Sequence, residues 1–376
     1  MEYIVINEQK NLDLYCLEIG KSPYIAIDTE FLRTTTYFPN LCLMQICYKK
    51  GFALIIDCLS NLDLSSLFKI IYNPNILKIF HGARQDLEIF FYQNRTLPPN
   101  LFDTQIAALA LNYPKEISYE KLVKVLLDLN IDKSLKNSNW LKRPLSLNQL
   151  KYAAHDVIYL YEIYEKLSNI LIQMHRLSWL DSHFKQMENP EQYHFNLEKK
   201  LFKALPANAS AKEIKIIEAL ILWREQVAKN LNLSPNLVMT THLIKTIALG
   251  NFNSKEALLE KLKEDDLEHY FDEIFTTVTG VAEIKEENLP IPKLTKNQVD
   301  IFHILKIILN TCANNYTVNS NLITTNEELT KFLLLKEESN ASFLKGWSYD
   351  IFGRYALDFI NGKNKLFIKD NLIYIQ

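Results

Sequence analysis

The first half of the chain alternates short apolar runs with longer segments of helical periodicity. Runs rich in β-branched and aromatic residues predict strands at Tyr24–Glu30, Leu41–Tyr48, Phe52–Asp57 and Ile76–Phe80. Apolar positions three and four residues apart predict helices at Ser65–Tyr72, Arg84–Gln93, Thr104–Leu111, Tyr119–Leu129 and about Leu147–Met174. Because the first three strands follow one another closely, we expect an antiparallel meander that enters a mixed sheet. This half is predicted to be a layered α/β domain.

After about residue 188 the strand pattern ends and helical periodicity continues. Polar, proline-containing stretches at Met187–Gln192 and Leu205–Ser210 are typical of domain boundaries. Beyond them the pattern predicts four or five short helices, a charged connector, a second helical region and a possible final strand, at 211–277, 280–292, 293–366 and 367–375. The predicted domains are therefore residues 1–188, 205–280 and 293–376.

Composition narrows the class of protein. With 48% hydrophobic and 23% charged residues among 376, the chain has an ordinary globular composition and is long enough for two or three cores. No apolar run approaches the roughly 18–20 residues of a membrane-spanning helix, and the first residues lack the pattern of a secretory signal. We expect a cytoplasmic protein with no membrane partner.

The net charge, the glycine pattern and the cysteine pattern exclude further classes of protein and kinds of site. The net charge is −2, so any site for a polyanion must be local rather than a property of a basic domain. No glycine-rich loop ends in Gly-Lys-Ser/Thr, so we expect no nucleotide cofactor, and helicase activity is disfavoured. The five cysteines are scattered and mostly in apolar segments, so we expect reduced, structural thiols and no zinc site.

Asp28 and Glu30 are the first candidates for chemistry. They lie two residues apart on a predicted strand, so both side chains project from one face. Two carboxylates on one rigid strand suit a hard divalent cation such as Mg²⁺ or Mn²⁺. The pattern alone is also compatible with a solvated strand end.

Further acidic residues follow on two predicted helices. Asp86 lies in a first helical turn, where the helix dipole favours a carboxylate without any function. Tyr152 and Asp156 are four residues apart and share a helix face, which is also compatible with a core tyrosine beside a solvated aspartate. If all four carboxylates converge, they require cations. Two divalent ions roughly 3.5–4 Å apart would form the clamp used in phosphoryl transfer.

Three segments resemble the motifs of the four-carboxylate 3′–5′ exonucleases, in the subgroup with tyrosine in the third motif. They are Asp28–Phe31, Phe80–Leu87 and Tyr152–Asp156. The intervening sequence is most similar to the ribonuclease D family, in particular at Phe102–Gln105, Asp132–Ser134 and Asn139–Leu145. Leu222–Glu225 resembles the opening helix of the helicase-and-RNase-D C-terminal (HRDC) module. The resemblance covers nearly the whole chain and is strongest up to residue 175.

The resemblance implies a fold and an activity. The expected fold is a ribonuclease H-like mixed-sheet exonuclease domain followed by all-α, HRDC-like domains, the second of them divergent. The expected activity is metal-dependent 3′–5′ exoribonuclease action that releases nucleoside 5′-monophosphates and trims the 3′ ends of transfer RNA precursors. RNA is the expected partner, and a monomer is the expected state. The alternatives are a 3′–5′ exodeoxyribonuclease of DNA repair and a catalytically silent nucleic-acid-binding scaffold.

The resemblance also assigns roles to residues. Two Mg²⁺ or Mn²⁺ ions are expected on Asp28, Glu30, Asp86 and Asp156. Tyr152 is expected to orient the attacking water, because a phenol with a reference pKa near 10 is a poor base at neutral pH. Phe31 is expected either to stack on the terminal base or to belong to the core. His81 is expected to approach the sugar or phosphate of the substrate.

Overall fold

The computed structural model describes residues 2–132, 134–136, 138–206, 209–250, 255–281, 294–370 and 372–375. Of the predicted connector 280–292, residues 282–292 lie outside the described residues. The described residues form two compact units. The first comprises the described residues up to 30, then those of 41–190, and the C-terminal segment from residue 294; the second comprises residues 31–40 and the described residues of 191–281.

A six-stranded mixed sheet lies at the centre of the first unit. Its strands are β1 (Glu2–Ile6), β2 (Tyr24–Leu32), β3 (Asn40–Lys49), β4 (Phe52–Asp57), β5 (Leu77–Phe80) and β6 (Leu101–Asp103). Their order is β1-β4-β3-β2-β5-β6. Strand β3 runs antiparallel to β4, whereas β1 pairs parallel with β4, β2 with β5, and β5 with β6. The predicted mixed sheet is confirmed.

Helices cover the sheet and connect its strands. They are α1 (Gln9–Ile19), α2 (Ser65–Ile71), α3 (Arg84–Asn94), α4 (Thr104–Leu109), α5 (Tyr119–Leu127), α6 (Leu147–Gln173) and α7 (Asp181–Met187). The predicted helices α2 to α6 end within about two residues of the observed ends. Four of these elements were not predicted: α1, α7, the edge strand β1, and β6, which has only 3 residues. Strand β1 lies at the edge of the sheet, and most of its side chains are half-exposed.

The second unit is helical, as expected. Its helices are α8 (Leu197–Ala204), α9 (Ala211–Leu231), α10 (Pro235–Val238), α11 (Thr241–Leu249), α12 (Lys255–Lys263) and α13 (Phe271–Thr279). Helix α9 begins with a capping box between Ser210 and Glu213, and its apolar face supplies much of the core. The segment Phe31–Asn40 belongs to this unit, since the Tyr37 hydroxyl donates a hydrogen bond to Glu225.

The C-terminal segment packs as part of the first unit. It contains α14 (Lys296–Asn315), α15 (Ser320–Ile323), α16 (Asn326–Leu335), α17 (Gly346–Ser348), α18 (Arg354–Ile360), β7 (Leu366–Lys369) and β8 (Leu372–Ile375). Trp347 stacks on Trp179 with ring centroids 4.4 Å apart, and Arg176 donates to the carbonyls of Ala110, Tyr316 and Thr317. The division into three domains at 1–188, 205–280 and 293–376 stays a prediction.

One predicted element needs correction. The single final strand expected at Phe367–Ile375 is an antiparallel hairpin of β7 and β8. Asp370 has a φ of 50°, a left-handed conformation that aspartate tolerates in turns, and it reverses the chain after Lys369. A turn residue therefore interrupts the apolar run, and the prediction of one strand did not take this residue into account.

Candidate active site

Strand β2 presents Asp28 and Glu30 on one face. Ile25 and Ile27, at the alternate positions, are fully buried, so the two-residue period places both carboxylates on the other side of the strand. Both acidic side chains are half-buried. The local sequence thus fixes their common direction.

Helix α6 supplies Tyr152 and Asp156. A capping box fixes its first turn: the Ser146 hydroxyl accepts the Gln149 N–H, and the Gln149 side chain accepts the Ser146 N–H. Tyr152 and Asp156 then lie one turn apart on the same face. Next to them Ala153 and Ala154 are buried, and their small side chains allow the helix to pack closely.

Three of the carboxylates share one small volume. One oxygen each from Asp28, Glu30 and Asp156 all lie within 4.8 Å of one another. Asp86 is not a member of this group among the described residues. It is buried in the first turn of α3 and accepts a hydrogen bond from the Thr29 hydroxyl.

Electrostatics nevertheless link Asp86 to the other three. Removal from water, followed by the charge of Asp28, raises the pKa of Asp86 well above its usual value. Removal from water is also the main reason that the pKa of Glu30 rises to about 10, with contributions from the charges of Asp28, Asp156 and Asp86. The four side chains therefore act on one another as one acidic cluster.

The remaining two carboxyls show the same effect. Burial and the charge of Asp156 raise the pKa of Asp28 to about 8. Burial raises the pKa of Asp156 to about 7, while a hydrogen bond from Tyr152 and the charge of Lys136 oppose the rise. Four oxygen ligands that cannot all ionise together are a donor set suited to hard divalent cations, which would neutralise them.

Tyr152 adjoins the cluster as a neutral phenol. Its hydroxyl is hydrogen-bonded to Asp156, and burial together with the charge of Asp156 raises its pKa. The buried ring of Trp140 lies 6.0 Å from the Tyr152 ring, centroid to centroid. The phenol is thus a hydrogen-bond donor at neutral pH and not a base.

The comparisons with known proteins agree with this geometry. A family model described as 3′–5′ exonuclease matches residues 3–172, and one described as HRDC domain matches residues 213–278. Ribonuclease D of Sphingobium indicum is 31% identical over 97% of this chain and 96% of its own length. This chain belongs to the ribonuclease D family. Ribonuclease D of Zymomonas mobilis is also 31% identical, over 96% of this chain and 94% of its own.

Solved structures extend the similarity to the fold. The crystal structure of Escherichia coli RNase D, an exoribonuclease involved in structured RNA processing, superposes with a TM-score of 0.80 at 25% identity. It covers 96% of this chain and 99% of that chain. A protein from Bifidobacterium adolescentis shares the fold alone, with a TM-score of 0.65 at 17% identity over 95% and 97% of the two chains. The predicted fold class and the predicted enzyme class, a 3′–5′ exoribonuclease, are confirmed.

One further expectation is met at a coarser level. The exonuclease family is metal-dependent, and the acidic cluster is the candidate metal site of this member. Among the described residues, no helix is both long and apolar enough to cross a membrane.

His81 uses both ring nitrogens inside the protein. Nδ1 lies 2.9 Å from the Thr104 hydroxyl, and Nε2 lies 3.1 Å from the Ile117 carbonyl oxygen. The Thr104 hydroxyl in turn donates to the Phe80 carbonyl, at 3.1 Å. This network favours a role in fixing the end of β5 over the predicted contact with substrate.

Asp103 performs a related task that the sequence did not reveal. It is buried at the end of β6 and caps α4 by accepting the Gln105 N–H at 2.7 Å. The same carboxylate accepts the N–H groups of Gly82 and Ala83, at 3.0 and 2.8 Å. It thereby holds the turn that leads into α3, the helix that carries Asp86.

The remaining predicted residues lie as follows. Phe31 is half-exposed on β2 directly after Glu30, and whether it stacks on a base stays a prediction. For Trp140, in the segment Asn139–Leu145, two roles are compatible with its place before α6: guiding substrate and pinning the loop. The structure favours pinning, because the ring is buried and Arg143 joins the Trp140 carbonyl (2.7 Å) to Asp57, with Nη2–Oδ1 at 2.6 Å.

Three other contributors were missed because they act through tertiary contacts. The hydroxyl of the half-buried Tyr119 donates to the backbone carbonyl of Asp156 at 2.6 Å and braces that turn of α6. Lys136 acts on Glu30 and Asp156 by its charge, and Thr29 binds Asp86. Only Thr29 had a signal in the sequence, since it stands between the two acidic residues of the first motif.

Proposed function

We propose that this chain shortens the 3′ ends of transfer RNA precursors, using two Mg²⁺ or Mn²⁺ ions at the acidic cluster. The observation that carries the proposal is the convergence of Asp28, Glu30 and Asp156 oxygens within 4.8 Å, with Asp86 electrostatically coupled to them. Carboxylates at this spacing repel one another, and divalent cations relieve that repulsion. We expect the enzyme to act in the cytoplasm as a monomer.

Each protein group has a distinct task in this proposal. Asp28, Glu30, Asp86 and Asp156 hold the ions, which when bound would acidify a water molecule and stabilise the leaving 3′ oxygen. Tyr152 orients the attacking water through its hydroxyl. Attack on the last phosphodiester releases a nucleoside 5′-monophosphate and leaves a 3′ hydroxyl on the shortened chain.

Structured RNA is the substrate class that the family relationship supports, and transfer RNA precursors are our proposal within that class. The Escherichia coli relative is an exoribonuclease involved in structured RNA processing, and the similarity spans both the exonuclease and the HRDC regions. RNA with a folded body and a single-stranded 3′ extension fits such an enzyme. Single-stranded DNA is the comparison substrate in the test below.

The test is degradation of a 3′-extended transfer RNA and a single-stranded DNA of matched 3′ sequence, each labelled at the 5′ end, with Mg²⁺ or Mn²⁺. We expect stepwise shortening of the RNA that stops near the mature 3′ end. Asp28→Asn should lower the rate by at least about 10³-fold, since it removes an ion ligand.

Asp13→Asn is the matched control. The substitution is chemically the same, and Asp13 is exposed on α1 and is not part of the acidic cluster. It should keep the wild-type rate. Faster degradation of the DNA would move the proposal to a deoxyribonuclease. Equal loss of activity in both variants would contradict the assignment of the site.

A further inference from the structure

The C-terminal hairpin exposes an aromatic pair. Phe367 on β7 lies directly opposite Tyr374 on β8, and their rings stack with centroids 5.4 Å apart and an interplanar angle of 18°. Phe367 and Tyr374 are 41% and 39% exposed. Two aromatic rings of this exposure offer a flat surface on which a further planar group can stack.

Lysines flank this pair along the chain. Side chains two residues apart on a strand share a face, so Phe367 and Lys369 of β7 point the same way, and Lys365 directly precedes the strand. Both lysines are exposed, and neither takes part in an ion pair among the described residues. Their charges are therefore available to a ligand.

Neighbouring residues continue this character. The Asn364 amide donates to the Tyr355 carbonyl at 3.5 Å, which joins the hairpin to α18. There the Arg354 guanidinium lies 4.7 Å from the centroid of the Tyr355 ring. Residues 354–375 contain four basic and two acidic side chains, a net charge of +2 in a chain whose total is −2.

We propose that this hairpin face, defined by Lys365, Phe367, Lys369 and Tyr374, binds single-stranded RNA upstream of the 3′ end that is being shortened. The inference rests on the proposed function for its biological substrate. Alternating aromatic and basic side chains suit a nucleic-acid strand, because bases stack on rings while ammonium groups contact phosphates. A local positive face also provides what the overall negative charge does not.

The same observations disfavour a second copy of the chain as the occupant. Two hairpins could pair edge to edge, but lysines on and beside an edge strand are a common device against such pairing. Two chains would also bring lysines of like sign together. RNA, in contrast, complements the charge.

The experiment measures RNA binding by the full chain in EDTA, where no hydrolysis occurs, over a range of salt concentrations. The test variant is Lys365→Glu with Lys369→Glu. We expect a single-stranded 20-nucleotide RNA to bind about tenfold or more weakly. The slope of log affinity against log salt should fall in magnitude by about 1.4, the value for two lost phosphate contacts on a single strand. Phe367→Ala with Tyr374→Ala should weaken binding about fivefold or more.

Lys336→Glu with Lys345→Glu is the control, because both lysines are exposed in the same C-terminal segment and the charge change is identical. Hydrolysis of a tetranucleotide, which fills only the active site, reports whether each variant is folded. It should stay at the wild-type rate in all of them.

The outcomes are separable. Affinity and salt slope equal to those of the control would overturn the proposal. A dimer of the wild-type protein in sedimentation would also overturn it if the hairpin variant abolished that dimer without losing RNA affinity. Such a result would show that two copies of the chain pair through the hairpin. Failure of the wild-type protein to hydrolyse the tetranucleotide would overturn the proposed function instead, while the binding data would still decide the role of the hairpin.

Discussion

Tyr152 meets the acidic cluster as a hydrogen-bond donor. Burial and the Asp156 charge raise its pKa, so it stays protonated throughout the working pH range. We expect Tyr152→Phe to lower the single-turnover rate by about 10²-fold, in the range typical of a positioned proton donor or acceptor, without changing metal affinity. Tyr159→Phe, on the same helix, is the control. A full single-turnover rate in Tyr152→Phe would refute the role assigned to the hydroxyl.

Thr29 tests whether Asp86 belongs to the cluster. Its hydroxyl donates to the Asp86 carboxylate and opposes the rise in the pKa of Asp86 that burial causes. Thr29→Val keeps the shape but removes the donor, so we expect metal affinity to fall about tenfold, as for other residues that orient metal ligands. Titration of the activity with Mn²⁺ measures this. Thr29→Ser should retain most of the affinity, and equal loss in both variants would indicate a packing defect.

At the scale of secondary-structure elements, Asp103 joins α4 to the turn before α3. One carboxylate serves N–H groups from both segments. Asp103→Asn replaces one accepting oxygen by an NH₂ donor that faces N–H groups, so we expect a loss of about 1–3 kcal/mol in the free energy of unfolding. Urea unfolding measures it. Asp63→Asn is the control: Asp63 is exposed and accepts the Ser65 N–H, which asparagine also accepts, so the change should cost almost nothing.

The difference between local and long-range contacts explains what the sequence could predict. Asp28 with Glu30, and Tyr152 with Asp156, were found because a strand period and a helix period determine their directions locally. The 3-residue β6 carries too few alternating positions to be recognised, whereas β1 was missed although its apolar run is typical of a strand. Asp103 and Tyr119 were missed because their partners are remote in sequence, Tyr119 and Asp156 being 37 residues apart.

The helical regions show the same limit. Periodicity predicted helical regions at 211–277 and 293–366, whereas the HRDC region was recognised from the resemblance at Leu222–Glu225. It could not show that Trp347 packs on Trp179, or that Asn319 donates to the Tyr113 carbonyl at 2.9 Å. Those contacts place the C-terminal segment in the compact unit that contains the acidic cluster. The compact unit that a helix joins is determined by its contacts with residues remote in sequence. The hydrophobic period of the helix does not encode those contacts.

At the scale of the whole molecule, the acidic cluster makes stability depend on pH and on metal. The pKa values of Asp156, Asp28 and Glu30 rise to about 7, 8 and 10, above those of an unfolded chain, near 4. The native state therefore holds protons that the unfolded state has released, and the free energy of unfolding should fall as pH rises from about 4 to about 10. Thermal unfolding in EDTA at pH 5 and pH 8 measures this fall.

Metal should reverse the loss. At 100 times its dissociation constant, Mg²⁺ is expected to add about 2.7 kcal/mol per site to the free energy of unfolding. Asp28→Asn should unfold at a higher temperature than the wild-type protein in EDTA at pH 8, and gain less from Mg²⁺. A variant less stable than wild type without metal, together with an unchanged response to Mg²⁺, would show that the carboxylates do not repel one another.

The central claim, that this cluster holds two ions that hydrolyse RNA from the 3′ end, is tested most directly by one titration. Mn²⁺ is added to the metal-free chain while bound ions and released nucleoside 5′-monophosphates are counted in the same sample. We predict two bound ions per chain, and product release that follows occupancy of the weaker site. Asp28→Asn should lose both ion binding and product release. Nucleotide release in EDTA, or by Asp28→Asn at the wild-type rate, would contradict the account.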